Sequence, residues 1–132
     1  MKRYFVDTGA WYAVVDKNDP DHKGAEHFMR NNKTPLLTTN FVFDETITLL
    51  RRRLGWSVAK DFGHRLKDSG FVSIVAVRDE DEERAWEIFL KYKDKDFSYT
   101  DCTSFAVMER LKMDTSFTFD SHFQTMKFHV MP

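Results

Sequence analysis

The chain has 132 residues, 42% of them hydrophobic and 31% charged, with 20 Lys and Arg against 21 Asp and Glu and a formal net charge of −1. That length is one ordinary domain of about 100–150 residues, and five Gly and three Pro exclude collagen-like or low-complexity sequence. The single Cys excludes an internal disulfide and a cysteine-based zinc site and fits a reducing compartment, no apolar run approaches the roughly 20 residues that span a bilayer, and affinity for nucleic acid would need local positive charge.

The opening Met-Lys-Arg-Tyr-Phe-Val-Asp meets an acid too early for a signal peptide. Tyr4-Phe5-Val6 reads as a short buried strand ending at Asp7, and Asp7 or Thr8 can cap a helix through Ala10–Val15. Asn18-Asp19-Pro20-Asp21 is turn and cap chemistry before a helix reaching about Arg30. Leu36-Leu37-Thr38-Thr39 reads as a second strand, with Asn40 as N-cap of a long helix over Phe41–Leu54 stopped by Gly55. Trp56–Lys67 is a further helix, and Phe71–Val77 is the clearest strand. Asp79–Lys93 is a helix with an acidic first turn, and Ser98–Met113 another. Thr115–Phe119 is a strand ending at Asp120, and Lys127–Met131 a last one. Short apolar strands alternating with helices predict an α/β fold, a three-layer α/β/α sandwich with a mostly parallel central sheet. With no repeat and no linker, residues 1–132 form one domain on this reading.

In open parallel sheets ligands bind beyond the carboxyl ends of the strands, where the strand order reverses. Asp7 and Asp120 each follow a predicted strand there. Two further acids lie on helices. Glu45 is four residues from both Phe41 and Leu49, at the edge of the apolar face, whereas Asp44 falls on a more polar strip with Thr48 and Arg51. Asp101 shares a face with Phe105 and Met108. Each acid also has a structural use. Asp7 can cap, Ser98-Tyr99-Thr100-Asp101 fits a capping box, Glu45 can pair with Arg52, and Asp120 can cap the turn into Ser121-His122-Phe123. Taken together they would converge at one end of the sheet. Clustered carboxylates repel and need compensation, and an all-oxygen set suits Mg2+ or Mn2+. Such a centre implies metal-dependent hydrolysis of nucleic acid.

Four segments in register carry a family resemblance. They are Val6-Asp7-Thr8-Gly9-Ala10-Trp11, Thr38 to Thr46, Phe97 to Ala106, and Phe119-Asp120-Ser121-His122-Phe123. The chain resembles the PIN domain, in particular the single-domain VapC-like toxins of toxin–antitoxin pairs. The resemblance places the family's four acids on Asp7, Glu45, Asp101 and Asp120, as metal ligands and catalytic residues, and its small hydroxyl residue on Thr8 or Thr118. It implies a Mg2+- or Mn2+-dependent ribonuclease, cytoplasmic and often a homodimer, inhibited by a partner antitoxin. Asp96 would be an outer residue of such a site or simply a solvated one. The alternative keeps the fold and drops the activity, leaving an inactive RNA- or protein-binding module.

The run Arg51-Arg52-Arg53 could bind RNA phosphates or be an ordinary solvated helix face. The five histidines show no paired ligand spacing and predict neither a metal site nor a base. Cys102 reads as packing, and Trp11 and Trp56 as core or dimer contacts rather than base-stacking platforms. A receiver-type domain would need an acid pair after the first strand, and a haloacid-dehalogenase-type phosphatase two Asp spaced by one residue. Asp7-Thr8-Gly9 supplies neither.

Overall fold

The computed structural model describes residues 2–132. Twelve elements follow in chain order: β1 (Tyr4–Val6), α1 (Thr8–Val15), α2 (His22–Asn31), β2 (Leu36–Thr39), α3 (Asn40–Leu54), α4 (Trp56–Asp68), β3 (Val72–Val75), α5 (Asp79–Lys91), α6 (Tyr99–Arg110), β4 (Thr115–Phe117), α7 (His122–Thr125) and β5 (His129–Met131). The strands form one sheet in the order β3-β2-β1-β4-β5, and every pairing is parallel.

This order determines the layers. The chain moves outward from β1 to β2 to β3, then crosses to the far side of β1 for β4 and continues outward to β5. Right-handed crossovers therefore put α1 to α4 on one face of the sheet and α5 to α7 on the other. The direction reverses between β1 and β4, so the crevice at their carboxyl ends is where a ligand is expected.

The sheet's middle is dry. Phe5, Val6, Leu36, Leu37 and Phe117 are fully buried, and Phe28 stacks on Phe117 with ring centroids 4.0 Å apart. Trp11 is core, its indole Nε1 donating to Thr38 Oγ1 at 3.4 Å, while that hydroxyl donates to Val6 O at 2.9 Å. Trp56 is more than half exposed, with Lys60 Nζ 4.9 Å from its ring centroid. On the other face Phe105 packs edge-on against Phe97 and Phe123.

Several sequence-based boundaries shift; α5, α6 and β5 are trimmed to Asp79–Lys91, Tyr99–Arg110 and His129–Met131. The N-cap of α3 is Thr39, whose side chain accepts from Val42 N–H; Asn40 is already helical and its Oδ1 accepts from Val77 N–H at 2.8 Å. β3 keeps only Val72–Val75 because its one neighbour, β2, offers four residues to pair with. β4 ends at Phe117: Thr118 N–H still donates to Met131 O of β5 at 3.0 Å, and beyond it the Thr118 hydroxyl accepts from Asp120 N–H and turns the backbone away. The short α7 follows at once, where a turn was expected. Gly55 ends α3 at φ +99°, a conformation that suits glycine, and its N–H reaches the carbonyls of Leu50 and Arg51.

The helices α5 and α6 are tied by charge. Asp81, in the first turn of α5 and only 2% exposed, accepts from Arg78 N–H and takes both Nε (2.7 Å) and Nη2 (2.9 Å) of Arg110. Arg84 grips Glu109 in the same forked way from the exposed side. Replacing Asp81 by Ala strands the Arg110 guanidinium and opens the first turn of α5. We expect a loss of about 3 kcal/mol in chemical denaturation, the low end for breaking a buried pair because Arg110 keeps some solvent.

Candidate active site

The four predicted acids line one cleft of about 590 Å³ at the carboxyl ends of β1 and β4. Asp7 is at its floor. It is the N-cap of α1, with Oδ1 accepting from Ala10 N–H at 2.9 Å, and Oδ2 accepts from the Thr118 hydroxyl at 2.6 Å. The residue that follows β1 is thus held by the residue that follows β4. Each carboxylate oxygen has two lone pairs, so both hydrogen bonds leave acceptor capacity toward the cleft.

Asp101 occupies the third position of α6. Its Oδ2 accepts from Ser98 N–H at 3.0 Å while Ser98 Oγ accepts from Asp101 N–H, so the expected capping box forms. The same Oδ2 is 3.2 Å from His122 Nδ1, which is also 3.1 Å from Asp120 Oδ2. Asp120 Oδ1 in turn accepts from His122 N–H at 2.9 Å. Asp101, Asp120 and His122 present ligand-type atoms within 4.8 Å of one another. Glu45 is exposed on α3 and borders the cleft from the opposite wall, outside that tight group.

The floor is electrostatically expensive. Burial pushes the Asp7 carboxyl up to about 7, with the charges of Asp101 and Asp120 adding to it against the hydrogen bonds from Thr118 and Ala10. Burial also raises Asp101, with Asp120 adding to it. The Thr8 hydroxyl is buried with no hydrogen-bond partner and borders the cleft. A set of carboxylates with one imidazole, its deepest member resisting ionisation and a hydroxyl unpaired beside it, fits a hard divalent cation.

Of the two hydroxyl candidates, Thr118 contacts Asp7 and Thr8 does not bond any group. The arginine run divides. Arg53 borders the cleft and lies 5.2 Å over the Tyr12 ring, and Arg52 borders an adjoining hollow with Glu45, Asp44, Thr48 and Thr100. Arg51 is exposed outside both, because successive helical residues point about 100° apart. Asp96 is exposed and belongs to neither cleft. The histidine spacing argument missed His122. Its signal is local: in Asp120-Ser121-His122 the aspartate side chain bonds the backbone two residues on and turns the imidazole back toward α6. Asp19 and Asp21, read as turn residues, also reach the cleft wall.

The PIN domain family pattern matches residues 4–129, nearly the whole chain. The chain belongs to the PIN domain family, among the VapC-like toxin ribonucleases. It is 33% identical over 124 residues to the 23S rRNA-specific endonuclease VapC20 of Mycobacterium tuberculosis, covering 94% of each chain. It is 32% identical over 123 residues to a VapC ribonuclease of Archaeoglobus fulgidus, covering 89% of this chain and 77% of that one. Its fold superposes on the crystal structure of M. tuberculosis VapC20, described as a Sarcin-Ricin loop cleaving toxin. The TM-score is 0.91 at 32% identity, over 98% of this chain and 99% of that one. A structure of FitAcB from Neisseria gonorrhoeae shares the fold at TM-score 0.71 and 14% identity, over 98% and 96% of the two chains.

The Asp7 shift has a signed consequence. Its folded value of about 7 exceeds the ordinary 3.8, so its contribution to stability is fully present below pH 3.8 and is lost as pH rises through 7. With chelator present, wild type should lose on the order of 4 kcal/mol from this group between those limits, relative to Asp7→Asn. Denaturant unfolding of both proteins across that pH range measures the difference; parallel curves would contradict it.

Proposed function

We propose that this chain is a Mg2+- or Mn2+-dependent endoribonuclease, the toxin of a type II toxin–antitoxin pair, with residues 1–132 as its single domain. The observation that carries the reading is the convergence of Asp7, Glu45, Asp101 and Asp120 on one cleft at the strand-order reversal. Asp7, Asp101 and Asp120 would hold the cation from one wall and Glu45 from the other. When bound, the ion supplies Lewis-acid charge that neutralises the carboxylates and the phosphodiester.

The chain's own residues do the positioning. Thr118 and the first turn of α1 fix the Asp7 carboxylate, and the Ser98 N–H fixes that of Asp101. His122 spans Asp101 and Asp120, so the two turn as a unit. Arg53 and Arg52 flank the cleft and its side hollow, where they can hold RNA phosphates on either side of Glu45. Thr8 offers a free hydroxyl to the cation or a phosphate oxygen.

The substrate class follows from the similarity to VapC20. RNA is the substrate, and a structured ribosomal RNA loop is the first to assay. The partner is an antitoxin protein, and the toxin itself pairs as a homodimer. Among the described residues no helix is long and apolar enough to cross a membrane, and we place the activity in the cytoplasm.

Cleavage of RNA should require Mn2+ or Mg2+ and stop with EDTA. Asp7→Asn and Asp101→Asn should each lower the rate at least about a hundredfold, since even groups supporting a metal ligand act on the ten- to hundredfold scale. The exposed Asp96→Asn should leave it unchanged. Wild-type rates in Asp7→Asn or Asp101→Asn would make the acids structural.

Thermal melts separate ligand from cap at Asp101. Asn keeps the oxygen that accepts from Ser98 N–H and removes only the charge. Mn2+ at a hundred times its dissociation constant should stabilise wild type by about 2.7 kcal/mol, roughly 10 °C in melting temperature. Asp101→Asn should melt no lower without metal and respond less to it.

A further inference from the structure

Arg53 stands at the cleft without a counterion. The arginine ion pairs among the described residues belong to Arg30, Arg78, Arg84 and Arg110. An aromatic ring holds Arg53 instead: its guanidinium carbon is 5.2 Å from the centroid of Tyr12, and both residues line the cleft. Of the three consecutive arginines, it alone among the described residues lies over a ring. A cation over a ring face is attracted by the ring's quadrupole, and that attraction needs no hydrogen bond. An arginine forked onto a carboxylate has its donors occupied and its charge offset, whereas Arg53 keeps its charge and most of its donors for a ligand.

The ring is itself fixed. Tyr12 is 5% exposed and clusters with Leu50 of α3 and Ala59 of α4. Its hydroxyl donates to Asp16 Oδ2 at 2.6 Å. Asp16 is the C-cap of α1, at the end of the helix where the dipole disfavours a carboxylate. It is compensated there. The Tyr12 hydroxyl and Asn18 N–H, which donates to Oδ1 at 2.9 Å, hold its carboxyl below the ordinary range, and the charges of His22 and Arg53 add to that. The bond to Asp16 in turn holds the Tyr12 phenol above its ordinary range, so it stays a donor. An acid at the unfavourable end of a helix thus ties down the ring on which Arg53 lies.

Glu45, Leu49 and Arg53 follow at intervals of four on α3, and all three line the cleft. Eight residues put Arg53 about 12 Å along the helix axis from Glu45. A phosphate at Arg53 is therefore not the one beside the acids but another along the same RNA strand. We propose that Tyr12 is a positioning residue: with Asp16 it holds the Arg53 guanidinium at the cleft wall for a phosphate that flanks the scissile one. The inference rests on the RNA-cleaving role proposed above and deepens it, by assigning the residues that aim this arginine. A contact of this kind holds the strand in register and carries no base information, which suits recognition of RNA by backbone shape.

Equilibrium binding of a fluorescent RNA hairpin to the full chain, with Ca2+ neutralising the acids, reads this apart from cleavage. Thermal melts check that each variant is folded. Arg53→Gln should weaken binding about tenfold and reduce the slope of log K against log[salt] by about one. Tyr12→Leu removes the ring and no charge, and should weaken binding nearly as much. Tyr12→Phe keeps the ring and loses the tie to Asp16, and should weaken it about threefold. Both Tyr12 effects should vanish in the Arg53→Gln background, because a residue that acts through Arg53 then has nothing to aim. With cleavable RNA the losses should fall on KM rather than kcat. Tyr12 effects of the same size with and without Arg53 would mean that Tyr12 only packs, and would overturn the proposal. Wild-type affinity in Tyr12→Leu, or a wild type that binds no RNA, would overturn it too. If Tyr12→Leu does not fold, Tyr12→Phe and its combination with Arg53→Gln complete the same cycle. Coupled RNA binding without cleavage in Mn2+ would leave the positioning standing and sink the nuclease reading instead.

Discussion

The site depends on one hydrogen bond, from the Thr118 hydroxyl to Asp7 Oδ2. It joins residues 111 apart in sequence across the central strand pair β1–β4. The pairing of Phe5 with Ser116 and Val6 with Phe117 brings the two strand ends level, so the residues that follow must share one small volume. Asp7 is buried there because the sheet is buried, and its carboxylate would be intolerable without donors aimed at it. Thr118 serves twice, donating to Asp7 and accepting from Asp120 N–H, so it orients the floor of the cleft and the next acid along. A valine would match its shape and supply neither bond.

Around that bond the molecule uses ordinary helix-end chemistry to hold charges that water would otherwise have to solvate. Asp7 caps α1, and Asp101 closes the capping box of α6. Helix N-termini favour negative charge, so the first turns of both helices offset part of the repulsion between the acids. The offset is incomplete, as the raised Asp7 and Asp101 values record. A capping role and a place at the cleft are therefore not rival explanations of these residues; the same carboxylate does both.

Much of this was legible in the residues. Short apolar strands each followed by a helix led to the parallel sheet, and the acid directly after β1 and the one shortly after β4 led to the switch-point cleft. What escaped the reading was set by neighbours rather than by local pattern. Asn40 is as good a cap as Thr39 in isolation, and only the loop after β3, with Val77 N–H in need of an acceptor, decides between them. Asp81 sits in an acidic run that reads as a solvated helix start. Its burial becomes visible only when Arg110 arrives from α6. His122 was discounted because pair spacing along one helix was the criterion, whereas its partners come from α6 and from the turn before α7. The three consecutive arginines looked like one patch, but a helix fans them apart.

The pairing of β1 with β4 also fixes when the molecule can become dangerous. Asp7 and the Thr118 that holds it are 111 residues apart in sequence. Most of the intervening chain must be synthesised, released from confinement and threaded into two crossovers before the ends of those strands meet, and such long-range closure is slow relative to local helix formation. No truncated or half-made chain lacking β4 can assemble the floor of the cleft. A chain with this topology has no floor to its cleft until β4 has paired with β1, so the most local folding steps leave the site unassembled.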